Sequence, residues 1–386
     1  MFMCKKHCAL CGALLTKQAD SKEHIIPNAI GGRKTVKGFI CKTCNSEKGA
    51  SWDTELAKQL AHLSLFFNIS RQRGNVQPQV YQTISGEEIL LRPDNSMTLA
   101  RPEYSETILD TGEVKLSFKA RTNEEARKIL TGVKRKYPTT NIDIDSLANQ
   151  ITTHYRPDPL HIPMTFGGLE AGRSIVKSAL ALAADVGIAH ESCNTALEYL
   201  RDSGAPCFGY YYEKDPILNR PTGTPLHCVY IKGDPVSGQI IGYVEYFGTW
   251  RLVLCLADSY AGDKVDHLYA IDPRNNTHLN LKIDISLTPD DIQAAYNYKK
   301  MSTESVKSAL EEVISPRIKE IHNTEMKREI SDAVKYAFEN CGIPEGHIIE
   351  HEGMKKVISL FWDKFQPFLH SRLVQPRRDD ENVGGQ

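Results

Sequence analysis

Two Cys-x-x-Cys pairs, Cys8/Cys11 and Cys41/Cys44, constrain this chain more than any other feature of its sequence. Each pair sets two sulfurs on one tight turn, and two such knuckles complete a tetrahedral Cys4 zinc site. Four protein ligands leave no open position, so the metal is expected to be structural and not catalytic. Cys4 and His7 lie beside the first knuckle as alternative ligands. The other five cysteines, Cys193, Cys207, Cys228, Cys255 and Cys341, are isolated and mostly in apolar runs. They read as buried free thiols, which predicts a reducing, cytoplasmic compartment.

Composition fits a soluble globular protein of two or three domains: 386 residues, 41% hydrophobic and 25% charged. Disorder and a disulfide-stapled miniprotein are excluded as classes. The net charge of -1 argues against a chain coated in nucleic acid, but residues 1–50 hold nine basic against three acidic residues. A basic head on a mildly acidic body places polyanion docking at the head. The N-terminal Met-Phe-Met-Cys-Lys-Lys-His-Cys has no apolar stretch after its lysines, so no signal peptide is expected. The most apolar helical stretch, Ser174–Ala189, is interrupted by Lys177 and Asp185, and no membrane span is expected.

Along the chain, residues 54–66 have helical spacing. Short alternating segments at Val80–Ile84, Glu88–Leu91, Met97–Ala100 and Val114–Phe118 predict an antiparallel meander. A helix capped by Asn123 is expected over Asn123–Lys136, with Lys134, Arg135 and Lys136 as its solvated end. Gly167–Gly187 reads as an amphipathic helix and Ser192–Arg201 as another. Five strands follow: Cys207–Glu213, Leu226–Lys232, Gln239–Phe247, Arg251–Ala257 and His267–Ile271. The tail is helical over Pro289–Lys299, Thr303–Ile321, Glu325–Glu339 and Gly353–Leu369, with Pro316 expected to kink or split the second. The expected class is α+β, divided as 1–70 head, 71–285 α+β body, 286–376 helical region and 377–386 disordered tail. His347-Ile-Ile-Glu-His351 matches a metalloprotease pattern, but Pro344 and Gly346 before it predict a solvent-facing helix start instead. The aromatic runs Phe208–Tyr212 and Tyr243–Trp250 read as packed strands.

Between the knuckles runs Lys22-Glu23-His24-Ile25-Ile26-Pro27-Asn28-Ala29-Ile30-Gly31-Gly32-Arg33, and directly after the second comes Asn45-Ser46-Glu47-Lys48-Gly49. Adjacent residues on an extended segment point to opposite faces, so one of Glu23 and His24 can bind a metal while the other faces a water. Pro27 and Gly31-Gly32 permit a turn, Phe39–Cys41 reads as the returning strand, and Asn45 starts a helix. This pattern, Cys-x-x-Cys, Glu-His-Ile-Ile-Pro with Gly-Gly, then Cys-x-x-Cys-Asn, resembles the HNH endonuclease superfamily over about residues 4–55, in its zinc-stapled subgroup. The resemblance implies a ββα-metal fold and metal-dependent phosphodiester cleavage. By position it implies His24 as general base, Glu23 as acidic metal ligand, and Asn45 or Asp53 as the last metal-side residue. The sequence departs from the family in two places. The middle asparagine is absent near Val36 and Lys37, and the final histidine is replaced.

The chemistry is coherent on its own terms. A neutral histidine can take a proton from water near neutral pH. One Mg²⁺ or Mn²⁺ on the oxygens of Glu23 and Asn45 or Asp53 can stabilise the phosphorane and leaving oxygens. Arg33, Lys34 and Lys48 are candidates for flanking phosphates. The expected protein is thus an HNH nuclease acting on nucleic acid, DNA foremost. Its large C-terminal region would select substrate, sense a ligand or dock a protein partner. Resemblance to bacterial defence proteins implies a role against foreign DNA. The alternative is a zinc-binding nucleic-acid or protein adaptor without cleavage.

Overall fold

The computed structural model describes residues 6–138, 159–344 and 346–373. Cys4 and the 377–386 tail lie outside the described residues. In chain order the elements begin with strands β1 (Glu23–His24) and β2 (Thr35–Val36), then helices α1 (Lys42–Lys48), α2 (Thr54–Gln59) and α3 (Ala61–Phe66). A five-residue π-helix, Gly49–Asp53, joins α1 to α2. There follow β3 (Gln79–Thr83), β4 (Glu88–Leu91), β5 (Met97–Leu99), β6 (Glu103–Ile108), β7 (Val114–Lys119), α4 (Asn123–Lys136) and β8 (Leu160–His161). Then come α5 (Gly168–Asp185), α6 (Asn194–Leu200), β9 (Phe208–Tyr210), β10 (His227–Asp234), β11 (Gln239–Tyr246), β12 (Trp250–Ala257), β13 (Val265–Asp272) and β14 (Thr277–His278). Helices α7 (Pro289–Tyr296), α8 (Thr303–Asn340) and α9 (His351–Leu373) complete the chain.

Contacts divide the chain into two units: 1–77 with 163–318, and 78–162 with 319–386. In the first, six antiparallel strands run in the order β14-β13-β10-β11-β12-β9. Alternation along β10 and β11 gives this sheet two apolar faces. Cys228, Tyr230, Ile241, Tyr243, Val253 and Cys255 face Ile292 and Ala295 of α7. The other face meets α5, where a Cβ on Gly242 would stand 3.6 Å from that of Ala179, and Tyr246 donates to Ser178 Oγ at 2.9 Å. Helix α5 is therefore buried on every side from Ala171 to Ala183, and is not the amphipathic helix expected from its periodicity.

The second unit holds the expected meander as sheet β5-β4-β3-β8, with β6 and β7 as a separate hairpin. The β6 strand was not anticipated because Glu-Tyr-Ser-Glu-Thr-Ile buries no face. Helix α4 is capped by Thr122, whose hydroxyl accepts from Glu125 N at 3.1 Å, and not by Asn123. Helices α8 and α9 bring Ala333, Phe365 and Phe368 together in a small core. Pro316 does not split α8, which runs through it for 38 residues. One missing N–H removes a single rung of a long helical ladder, and the proline ring is packed close to Gly223. His347 to Glu350 precede α9 rather than lying on it, so the metalloprotease pattern has no helix to sit on.

Candidate active site

The head is built on the sulfurs. The Sγ atoms of Cys8, Cys11, Cys41 and Cys44 all lie within 4.8 Å of one another. The Cys11–Cys41 separation is 3.8 Å. A tetrahedron with Zn–S bonds of about 2.3 Å has edges of roughly 3.8 Å, so this donor set fits structural zinc. Cys41 also caps α1, its sulfur accepting from Cys44 N at 3.4 Å. The helix begins at Lys42, so Asn45 sits inside it and does not start it.

Strands β1 and β2 form an antiparallel pair with Glu23 opposite Val36 and His24 opposite Thr35. The returning strand is Thr35–Val36; Phe39–Cys41 is joined instead by an isolated bridge from Cys41 to Asp20 and by Ala9 N–H donating to Phe39 O at 2.9 Å. The turn between them depends on Gly32, where a Cβ would lie 1.7 Å from the carbonyl oxygen of Ile26. No side chain fits without moving backbone. Gly32→Ala is therefore expected to lower stability by at least about 3 kcal/mol, read from urea unfolding. An unchanged midpoint would show that the turn yields.

The alternation expected for Glu23 and His24 holds. Glu23 points inward and is 3% exposed, while His24 is half-buried at the surface. Its Nε2 lies 3.2 Å from Gln72 Oε1. With the amide in this orientation Nε2–H donates and the Nδ1 lone pair is free to accept a proton. Gln72 is itself held by its backbone N–H donating to Asn28 Oδ1 at 3.0 Å. It supplies the histidine with a partner that the missing middle asparagine does not. Burial, partly opposed by the Gln72 hydrogen bond, lowers the His24 pKa below its ordinary value and keeps the ring neutral at neutral pH.

Glu23 and Asp53 are brought together, but around a cation from α5. Lys177, 1% exposed, donates to Glu23 Oε1 and, at 2.7 Å, to Asp53 Oδ2. Ser174, one turn earlier, donates to Asp53 Oδ1 at 2.6 Å. Burial pushes Lys177 down and Glu23 up. The two carboxylates outweigh burial at Lys177 and hold its pKa above the usual ammonium range, so it stays charged. Among the described residues Asn45 is not hydrogen-bonded to this cluster; its Nδ2 donates to Lys22 O at 3.4 Å. A Cβ on Gly49 would stand 4.0 Å from Asn45 Oδ1 and 3.9 Å from Asp53 Oδ2. The oxygens expected to hold a divalent ion are thus arranged for something else: both Asp53 oxygens are occupied, and Glu23 is buried against an ammonium. They do not fit a metal as they stand.

The three basic candidates have separate partners. Arg33 donates to Ser70 Oγ at 2.7 Å, Lys34 pairs with Asp185 at 2.6 Å, and Lys48 lies 5.1 Å over the ring of Trp52. Lys177, Ser174, Gln72 and His227 are not among the residues expected at the site. Lysine and serine inside an Ala/Leu/Ile helix were the available clue, since a buried charge requires a partner.

His227 ties the head to the sheet. Phe247 N–H donates to its Nδ1 at 3.0 Å, so Nε2–H donates to Ile30 O at 2.8 Å. Burial lowers its pKa to about 4. The unfolded ring takes a proton near pH 6.5 and the folded ring does not. Stability is therefore lost as pH falls from about 6.5 to about 4, by about 1.4 kcal/mol per unit and about 3 kcal/mol in all. Urea unfolding across that range should show a steeper loss of stability in the wild type than in His227→Gln. Equal slopes would count against this tautomer and its burial.

Residues 8–61 match the family model described as HNH endonuclease. No curated protein and no solved structure matches the chain. The zinc-capable head is an HNH endonuclease domain. Its family supports a nuclease-type function, with nucleic acid as the substrate class and a divalent metal as cofactor. Among the described residues no helix is long and apolar enough to cross a membrane.

Proposed function

We propose that the chain is an endonuclease hydrolysing phosphodiester bonds of nucleic acid, DNA foremost, with His24 as general base. The observation that carries this reading is a neutral, half-exposed imidazole on β1, within a zinc-stapled ββα head whose sequence matches HNH endonucleases. Nδ1 takes the proton from the attacking water, and Gln72 holds the ring by its other nitrogen. Arg33 and Lys48 hold phosphates beside the scissile one, while Lys34 divides its charge with Asp185. Mg²⁺ or Mn²⁺ is the proposed activating ion. The Glu23 and Asp53 oxygens do not fit it, so no step is routed through it. The regions beyond the head would select substrate or answer a protein partner or ligand, in keeping with a defence effector against foreign DNA acting in the cytoplasm.

The seating of Lys177 between the two acids favours a second reading, a zinc-stapled adaptor that binds nucleic acid without cutting it. Nicking of supercoiled plasmid, and cleavage of labelled RNA, by the full chain with each ion decide between them. Cleavage supports the nuclease. Binding without cleavage under either ion, together with no toxicity on expression in cells, supports the adaptor.

A further inference from the structure

Lys177 has an environment that a lysine rarely tolerates. It lies at the middle of α5, the helix buried on every side from Ala171 to Ala183, and is 1% exposed. Burying an ammonium there is strongly unfavourable unless anionic oxygens replace its water. Two do: Glu23 from β1, and Asp53 from the end of the π-helix at 2.7 Å. Ser174 from the same face of α5 satisfies the remaining Asp53 oxygen at 2.6 Å. The three groups carry one positive charge against two negative, with Lys177 and Glu23 buried and Asp53 partly exposed at 20%. Hard carboxylate oxygens converging in this way are the donors a divalent ion prefers. An ammonium within hydrogen-bonding reach of both carboxylates leaves no volume for such an ion.

We infer that Lys177 is the resident cation of the Glu23–Asp53 pair: its ammonium and a divalent ion are mutually exclusive occupants. The wild-type pair takes up no metal. Lys177 is a positioning residue, fixing the inward face of β1, whose next residue is His24, and the end of the π-helix. The cation comes from α5, more than 100 residues beyond the head in sequence, so the head's acidic pair is completed by the body. This bears on how the proposed nuclease site is assembled, but its test reads cation binding and not cleavage, so the two fail separately.

The test is Mn²⁺ titration of the zinc-loaded full chain, following free Mn²⁺ by electron paramagnetic resonance. In the wild type, either no Mn²⁺ is taken up or its affinity changes less than about twofold in Glu23→Gln. Lys177→Met, which leaves one buried and one partly exposed carboxylate uncompensated, is expected to gain a site at least tenfold tighter than any in the wild type. Glu23→Gln in that background removes it. A tenfold or greater loss of wild-type Mn²⁺ affinity in Glu23→Gln would overturn the inference, because Glu23 would then be a metal ligand. So would a folded Lys177→Met that gains no site. If Lys177→Met does not fold without metal, melting decides. A melting temperature restored by Mn²⁺ in the variant and unmoved in the wild type supports the inference, and no restoration counts against it.

Discussion

Replacing His24 by alanine is expected to lower plasmid nicking by about 10²–10⁴-fold while leaving zinc content and melting temperature unchanged. The separation of effects follows from where the ring sits. Glu23, its neighbour on β1, is buried against α5, whereas His24 points to the half-exposed face and hydrogen-bonds the exposed side chain of Gln72 at 3.2 Å. Removing the imidazole leaves the β1–β2 pairing intact, because that pairing is backbone. What is lost is the neutral nitrogen proposed to accept the water's proton. Initial nicking rates under one ion and one salt concentration measure the effect. Full activity in His24→Ala would remove the histidine from the mechanism, whatever the zinc does.

The parts of this protein that could be read from sequence are those set by short-range spacing. Both knuckles, the opposite facing of Glu23 and His24, and the Gly31-Gly32 turn each depend on residues a few positions apart, and each is found as expected. The central strands follow from alternation, and β10 to β13 lie within two residues of their expected bounds. What could not be read is long-range. Gln72 meets His24 across 48 residues, and Lys177 meets Glu23 across 154. In sequence Lys177 and Asp185 look like interruptions of an apolar helix. In the fold each is an ion-pair partner of the head, Lys177 with Glu23 and Asp53, Asp185 with Lys34. The polar residues that spoil α5 as a simple amphipathic helix are the ones that bind it to the site. The same limit explains the metal-ligand set. Positional matching to the family places Glu23 and Asp53 beside an ion, and only the fold brings an ammonium there.

Cys41→Ser is expected to abolish zinc binding and to unfold more than the head. Cys41 has three roles at once: its sulfur is 3.8 Å from that of Cys11, caps α1 through Cys44 N, and its own N–H donates to Cys8 Sγ at 3.3 Å. Structural zinc contributes about 10–16 kcal/mol of apparent binding energy in small zinc modules. That equals or exceeds the whole stability of a typical domain, about 5–15 kcal/mol. The head is not an independent finger. Arg201 donates to Ala9 O at 2.6 Å beside the first knuckle, His227 to Ile30 O, and Gln59 exchanges two hydrogen bonds with Gly167 at the start of α5. If residues 8–61 melt, Lys177 loses both carboxylates and the face of α5 that the head covers opens to water, a loss that falls on α5 and the sheet beneath it. The variant should therefore contain no zinc, and hydrogen exchange should accelerate in β10 to β12 as well as in the head. Chelation of the wild-type zinc should reproduce both. Unchanged zinc content would refute the four-sulfur ligand set. Zinc loss with fully protected β10 to β12 would show instead that the body stands without its head.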